Sequence, residues 1–265
     1  MPKEGFLRRE RPLRQLARGA LRIYAAHWPL WMVIGAVMIP ISLAVAFIEQ
    51  LVGLEWAMGM ANTTALEPIS ELIGMTVGAF VGATLVSVAV FAALRELDEG
   101  NQPSVTGVCG RVFRRVPSIV AEVLLFTGAL GLLSITVVGI PLAINRAVAW
   151  AIAAQAVVIE DKSALASLGR SAELVRGSWL RVLGTVALIA LFVGLPGPLI
   201  AFGFLVFTRP PIIETVYPLL SLLYVLVLFP LGFIASGLLY GDLCAVKERR
   251  AQEAATGVEQ QSSPE

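Results

Sequence analysis

Polar side chains inside long apolar stretches are the first candidates for chemistry in this chain. Glu122 and Arg146 each lie about five residues from one end of such a stretch, and Asn145 and Gln155 accompany Arg146. Charged residues inside a membrane-spanning segment are rare, and they commonly mark a path for ions, protons or a solute. These four residues therefore predict a polar transport site between two neighbouring segments.

A second interpretation of the same residues needs no transported solute. A rise of 1.5 Å per residue places Glu122 and Arg146 at opposite depths, roughly 15 Å apart, which is too far for a direct ion pair. Each charged group is close enough to its own interface to reach the headgroup layer. Arg146 could also pair with Glu71 or Glu214 inside a helical bundle. The sequence leaves both interpretations open.

Metal and catalytic chemistry find no support in the sequence. The chain has one histidine, His27, and two cysteines, Cys109 and Cys244, whose separation does not suit a zinc site or a redox pair. The phosphate-loop, dinucleotide-binding, serine-hydrolase and metalloprotease motifs are absent. We therefore predict no cofactor, no metal ion and no enzymatic activity.

The composition indicates which solvent surrounds these residues. Of 265 residues, 57% are hydrophobic and 15% are charged, with a net charge of +1 and a mean hydropathy of +0.80. A soluble domain has about 25% charged residues, a nucleic-acid-binding protein has a basic excess, and a disordered chain has low hydrophobicity. The composition therefore predicts an integral membrane protein and argues against a nucleic-acid partner.

Six apolar stretches are long enough to cross a bilayer, which takes about 20 helical residues. We expect an all-α, polytopic bundle of six transmembrane helices, with the third and fourth divided at Gly139-Ile140-Pro141 and the fifth interrupted at Pro196-Gly197-Pro198. The third and fourth could instead form one span and a re-entrant piece. The predicted spans are 28–48, 72–94, two within 117–159, one from about Val182, and 217–241. The predicted regions are a basic amphipathic segment (1–27), a six-span domain (28–241) and a polar, disordered tail (242–265).

The basic residues fall almost entirely on one predicted side of the membrane. Eighteen of the 20 lie in the N-terminal segment, in the connections after the second and fourth spans, or in the tail. Because basic loops stay in the cytoplasm, both termini are predicted to be cytoplasmic, as an even number of spans requires. The excess of arginine over lysine is compatible with a high-GC bacterium. We therefore expect a multi-pass protein of a bacterial cytoplasmic (inner) membrane.

A basic amphipathic helix is predicted before the first, third and fifth spans. Apolar residues recur there every three or four positions, as in the stripe Leu165, Leu168, Ala172, Val175 and Trp179, and Ser104 and Ser163 are candidate N-caps. Three such cytoplasmic helices would lie in the headgroup layer, anchoring the bundle or recruiting anionic lipid or a partner protein. The arginines predicted to face lipid headgroups are Arg14, Arg18, Arg22, Arg111, Arg114, Arg115, Arg170 and Arg176.

Small residues recur at every fourth position of the second predicted span. Gly74, Gly78 and Gly82 share one helix face, and Gly237 and Gly241 repeat the spacing in the sixth span. Without side chains at these positions another helix can approach closely and gain van der Waals contact. The pattern predicts helix packing within the chain or between two copies.

The stretch from Ala156 to Gly184 reads AVVIEDKSALASLGRSAELVRGSWLRVLG. Its distinctive elements are Glu160 after an apolar span, the pair Arg170-Ser171, and the run from Val175 to Trp179. With these elements the chain resembles a group of six-span bacterial proteins known as the membrane domain of glycerophosphoryl diester phosphodiesterase. The segments Gly139-Ile140-Pro141 and Leu21 to Trp28 also fit that group.

The resemblance implies a shared membrane architecture. In the fused members of that family the membrane part precedes a soluble barrel domain, which hydrolyses glycerophosphodiesters with carboxylates, histidines and a divalent metal. No segment of this chain corresponds to that domain, since about 24 polar residues follow the sixth predicted span. The resemblance therefore does not imply phosphodiesterase activity here.

Together these patterns predict a non-enzymatic integral membrane protein with a structural or accessory role. Its basic cytoplasmic face would contact anionic membrane lipids or a partner protein. The alternative is a transporter of a small solute or a lipid, with a polar path through the third and fourth spans.

Overall fold

The computed structural model describes residues 7, 9, 12–36, 39–40, 47, 67–207 and 210–261. The described residues are almost entirely helical and include no strand. In chain order the helices are α1 (Leu13–Ala26), α2 (Trp28–Ala36), α3 (Glu67–Asp98), α4 (Val105–Ser134), α5 (Gly139–Trp150), α6 (Ala153–Ile159), α7 (Ala164–Val175), α8 (Trp179–Ile189), a π-helical turn (Ala190–Gly194), α9 (Pro196–Phe207) and α10 (Pro210–Gln261). The all-α prediction is confirmed.

Three segments of the described chain are long and apolar enough to cross a membrane, namely Pro117–Ser134, Gly139–Ile159 and Leu226–Thr256. A fourth is obtained if α7 and the helix from Trp179 to Gly194, which meet at 109°, form one broken span. The second predicted span lies within α3, and part of the first falls outside the described residues. The helices therefore fit a membrane protein.

A tight turn separates the two predicted spans within 117–159, but it precedes the Gly-Ile-Pro sequence. The chain turns between Ile135 and Val138, and α5 begins at Gly139. A Cβ atom at Gly139 would lie 1.8 Å from the Leu133 carbonyl oxygen, so only glycine fits there. Pro141 lies in the first turn of α5, where a missing N–H removes no helical hydrogen bond.

The core lies between α3 and α10, with α2 and α6 packed alongside. Phe91 and Leu94 of α3 and Ile234 and Leu238 of α10 are at most 1% exposed. A Cβ atom at Gly237 would lie 2.6 Å from Leu94 Cδ1, so this glycine brings the two helices together. The close helix packing predicted at Gly237 is thus observed.

The glycine pattern of the second predicted span lies in α3, as the sequence requires. Gly74, Gly78 and Gly82 are helical residues of α3. What packs against them lies outside the described contacts. Their predicted role in helix packing stays a prediction.

The three predicted amphipathic helices take three different forms. The first is the separate helix α1, which buries Leu16 and Ala20. The second is continuous with the following span in α4, although Pro117 lies inside it. The third is α7, which turns sharply into α8.

The N-cap prediction holds for one of the two serines. Ser104 caps α4, since its hydroxyl accepts a hydrogen bond from the Gly107 N–H at 3.1 Å. Ser163 occupies the N-cap position of α7 without a side-chain capping bond. Leu165, predicted to belong to the stripe that faces the headgroup layer, is 71% exposed. The side of α7 that packs within the chain buries Ser167, Ser171 and Leu174 together with Leu168 and Val175 of the stripe.

The C-terminal region differs from the predicted disordered tail. Helix α10 continues through Gln261, and Leu243, Cys244 and Val246 beyond the predicted boundary are buried. The residues that follow are rich in Ala, Glu, Arg and Gln, which have high helix propensity. Arg249 and Glu253 also form an i,i+4 ion pair at 3.4 Å. The packed part of the chain therefore extends past residue 241.

Candidate functional site at the charged end of the bundle

Most ionisable side chains gather where the C-terminal end of α3 meets the α6–α7 connection and residues near 242 of α10. We call this region the charged end. Leu7 also lies there, because its N–H donates to Asp98 Oδ1 at 2.7 Å. A Cβ atom at Gly241 would lie 2.1 Å from the Leu7 carbonyl oxygen, so a side chain there would displace this segment.

Glu160 is the acceptor for a bidentate arginine at the charged end. It follows α6 directly, and Arg170 reaches it from the middle of α7 with its Nε 3.2 Å from Oε2 and its Nη2 3.2 Å from Oε1. Lys162 Nζ lies 3.6 Å from the same carboxylate. Two parallel N–H donors fix a carboxylate more firmly than one donor does. The pair therefore fixes the angle between α6 and α7.

The environment of Glu160 keeps its carboxylate charged. Burial by itself raises the pKa of this group, but the neighbouring Tyr240 hydroxyl, the Arg170 guanidinium and the Lys162 charge lower it by more. The net pKa lies below the usual value of 4.5. Cys244 Sγ of α10 lies 3.8 Å from Glu160 Oε1. Glu160 therefore connects three helices as an ion.

Asp161 joins α3 and α4 to the α6–α7 connection. Its carboxylate accepts from Arg95 of α3 at 2.7 Å and from Arg115 of α4. The backbone of Asp161 has φ +56°, a left-handed conformation that Asp adopts more readily than most residues. Burial opposes ionisation of Asp161, but the two arginines outweigh it and lower the pKa below its usual value of 3.8.

The most buried carboxylate of the charged end is Asp242. Its side chain has no exposed surface, and its Oδ2 lies 2.8 Å from Arg181 Nη2 at the start of α8. Removing a charge from water costs several kcal/mol unless a partner compensates it. Sequence reasoning missed Asp242. The available signal was an acid at the end of the sixth predicted span, on the same predicted side as Arg181.

Three of the eight arginines predicted to face lipid instead pair with carboxylates of this chain. Arg170 binds Glu160, Arg115 binds Asp161, and Arg111 Nη2 lies 3.3 Å from Glu96 Oε1. Periodicity placed these arginines off the apolar stripe but could not show that a neighbouring helix brings an acid to them. All three remain partly exposed, and their predicted contact with lipid headgroups stays a prediction.

The other five arginines lie at the surface. Arg14, Arg18 and Arg22 of α1 are exposed, as are Arg114 and Arg176. Helix α1 contains no Asp or Glu in its sequence LRQLARGALRIYAA. Its opposite face is anchored, because Leu16 and Ala20 are at most 3% exposed. Helix α1 thus presents three positive charges on one packed element.

The four candidate intramembrane polar residues fall in two different environments. Glu122 and Gln155 are 5% and 3% exposed, whereas Asn145 and Arg146 are exposed. The Arg146 guanidinium lies 5.9 Å from the centre of the Trp150 ring, a cation–π distance. Two of the four residues are therefore buried and two are exposed, and the polar path predicted from them stays a prediction.

Clusters of metal-ligating type are absent from the part of the chain that the structure describes, where no three His, Cys, Asp or Glu side chains converge. Cys109 is exposed and Cys244 is buried. The ionisable groups of the charged end therefore form ion pairs between carboxylates and arginines.

No protein-family model matches the chain, and no match is found among curated proteins or solved structures. The resemblance to the membrane domain of glycerophosphoryl diester phosphodiesterase therefore stays a prediction.

Proposed function

We propose that this protein is a non-enzymatic integral protein of a bacterial cytoplasmic membrane, with a structural or accessory role. In this proposal the charged end lies at the cytoplasmic surface, and the basic face of α1 beside it contacts anionic lipid. The observation that carries it is α1, which exposes Arg14, Arg18 and Arg22 and has no acidic residue of its own. Each basic residue close to an anionic leaflet contributes about 1 kcal/mol of attraction.

The ion pairs of the charged end support a structural role for it. Glu160, Asp161 and Asp242 tie α3, α4, α7, α8 and α10 together through arginines. These arginines are neutralised by partners within the chain, whereas the arginines of α1 are directed outward. The charged end would thus serve as a rigid platform that holds the basic face of α1 at the membrane surface.

The six-span topology remains part of the proposal. The three segments found by length and composition would be joined by α3, by the helix that begins at Trp28, and by a span that begins with α8. The large apolar side chains that α4 exposes, such as Leu124 at 66% and Leu132 at 73%, fit contact with lipid tails. Helix α1, the start of α4, and α7 would lie in the headgroup layer.

A topology experiment tests this arrangement. Reporter fusions at Asn62 and Gln102 should lie on opposite sides of the membrane, with Gln102 in the cytoplasm. Both fusions in the same compartment would contradict the six-span topology.

The lipid contact is tested with spin-labelled lipids around the reconstituted full-length protein. Phosphatidylglycerol should be preferred over phosphatidylcholine, and the preference should decline at high salt. The triple variant Arg14→Gln, Arg18→Gln, Arg22→Gln should lose most of the preference. The matched variant with lysine at these three positions should keep it, because the charge is retained. A wild-type protein without any preference for phosphatidylglycerol would overturn the proposal.

A second candidate is a transporter of a small solute or a lipid. The observation in its favour is the burial of Glu122 and Gln155, with the Gln155 Oε1 atom lacking a hydrogen-bond partner in the described structure. Cysteine scanning of α4 to α6 with aqueous thiol reagents tests it. Labelling beside Glu122 and Gln155 would support a water-filled path, and unreactive positions there would exclude one.

A further inference from the structure

An apolar groove lies between α1, α8 with its π-helical turn, and α10. Its volume is about 440 Å³, within the range of ligand sites. Its walls include Ala17 and Leu21 of α1, Leu188 of α8, Phe192 of the π-helical turn, and Leu228 of α10. The polar side chain in its lining, Thr185, donates its hydroxyl to the Arg181 carbonyl at 2.9 Å. The groove therefore offers an apolar surface to its occupant.

The direction of the groove follows from the α10 residues that line it. They run from Ala235 to Leu228, which is about 10 Å of helix. Ala235 is the end nearer Asp242, so the groove starts near the charged end and continues toward the middle of the bundle. One leaflet contributes about half of a 30 Å hydrocarbon core. A chain lying in this groove would therefore extend across most of one leaflet.

The floor of the groove is closed by tight packing. A Cβ atom at Gly232 would lie 3.1 and 3.2 Å from the two Cγ atoms of Val193, so α10 touches the π-helical turn there. The mouth is open, since Leu21 is 55% and Phe192 is 68% exposed. Widened π-helical turns are frequent at functional sites. The groove is thus closed where α10 meets the π-helical turn and open at the protein surface beside Leu21 and Phe192.

Positive charge borders the mouth of the groove. Arg14 and Arg18 share a face of α1 with Ala17 and Leu21, because residues three and four positions apart are neighbours on a helix. A separate cavity of about 350 Å³ is lined by Arg18 together with Gln15, Gly19 and Arg22, so Arg18 lies between the groove and Arg22, which is the arginine of α1 farthest around the helix from the groove. The mouth therefore has two arginines beside it, at the end of the groove nearer the charged end.

We propose that this groove binds one acyl chain of an anionic phospholipid, whose phosphate-containing headgroup is held by Arg14 and Arg18. The proposal rests on the proposed lipid-contacting function and adds a defined binding site for one lipid molecule. We call this site, formed by the groove with Arg14 and Arg18, the seat. An apolar trough that runs along the leaflet and has arginines at its outer end complements both parts of such a lipid. A general electrostatic contact would use Arg14, Arg18 and Arg22 alike, whereas this seat uses the first two.

Native mass spectrometry of the full-length protein in detergent tests the seat, with phosphatidylglycerol as the probe and phosphatidylcholine as the neutral comparison. One phosphatidylglycerol should be retained per chain. Arg14→Gln and Arg18→Gln should each weaken its retention about fivefold, and Arg22→Gln should leave it nearly unchanged. Ala17→Phe should abolish retention by filling the groove, whereas Ala26→Phe, at an exposed site on the Arg22 face of α1, should not.

Each other outcome identifies which proposal fails. Equal losses for the three arginine variants, with Ala17→Phe harmless, would overturn the seat and leave the proposed function standing. A wild-type protein that prefers neither lipid would overturn both. A third outcome is that Ala17→Phe abolishes binding of both lipids while the arginine variants change nothing. The groove would then bind an acyl chain without selecting its headgroup, which would overturn the proposed selectivity for an anionic phospholipid. Near-ultraviolet circular dichroism of each variant verifies that the fold is retained.

Discussion

Arg181 Nη2 lies 2.8 Å from Asp242 Oδ2, and the Asp242 side chain has no exposed surface. The pair joins the first turn of α8 to α10, two segments that are about 60 residues apart in sequence. Neither residue stands out in the sequence. Arg181 is one of the basic residues between the fourth and fifth predicted spans, and Asp242 directly follows the sixth. Their pairing depends on the tertiary arrangement of the charged end.

Breaking this pair should destabilise the protein strongly. Arg181→Ala leaves the buried Asp242 carboxylate without its arginine, and removal of one partner of a buried pair costs about 3–5 kcal/mol. Chemical unfolding of the purified protein in detergent measures the change. The control is Arg249→Ala, which breaks the exposed pair with Glu253 and should change the unfolding free energy by less than about 1 kcal/mol. Equal effects of both substitutions would contradict the burial of Asp242.

Acid should weaken the charged end through Glu160 and Asp161. Both groups have a pKa lowered in the folded protein below the usual values of 4.5 and 3.8. Lowered values mean that their stabilisation is complete above the unfolded-state pKa and is lost as pH falls through the folded-state pKa. Thermal stability should therefore decline from about pH 5 downward.

The variants Glu160→Gln and Asp161→Asn assign this acid sensitivity. Each should be less stable than the wild type at pH 7 and should lose less stability on acidification, since one titrating group is gone. Glu253→Gln removes a carboxylate that is 66% exposed and should follow the wild-type curve. A wild-type curve that stays flat between pH 6 and pH 3 would exclude ion pairing of these carboxylates as a source of stability.

The helical class of the fold could be predicted from the sequence because apolar composition and residue spacing act locally. The separation of Pro117–Ser134 from Gly139–Ile159 was predicted from glycine and proline alone, and the structure has a turn between them. The exact turn could not be predicted, since it depends on contact between Gly139 and the Leu133 carbonyl oxygen.

The candidate site was predicted less completely than the fold. Spacing identified the exposed arginines of α1, because amphipathic periodicity is a property of one helix. It could not show that Arg111 and Arg170 pair with acids, since Glu96 lies on another helix and Glu160 follows a different one. The groove between α1, α8 and α10 is also invisible in the sequence, because three separate segments form its walls.

Two leucines of the predicted apolar stripe of α7 differ in how far they are buried within the chain. Leu168 is 8% exposed and Leu165 is 71% exposed. Leu168→Ala should therefore cost about 2–3 kcal/mol of unfolding free energy, whereas Leu165→Ala should change it by less than about 0.5 kcal/mol. Chemical unfolding in detergent compares the two variants directly. A larger loss for Leu165→Ala would contradict the packing of Leu168 within the chain.

Gly139 should be the glycine of the α4–α5 hairpin that cannot be replaced. Its Cβ atom would meet the Leu133 carbonyl oxygen at 1.8 Å, and backbone cannot move aside as a flexible side chain can. Gly139→Ala should therefore destabilise the protein by about 1–3 kcal/mol, the usual cost of overpacking. Gly128→Ala in α4 is the matched control, because nothing lies within 4 Å of its Cβ position and alanine favours a helix. Thermal unfolding should rank the wild type and Gly128→Ala above Gly139→Ala, and a Gly139→Ala variant as stable as the wild type would show that the hairpin turns elsewhere.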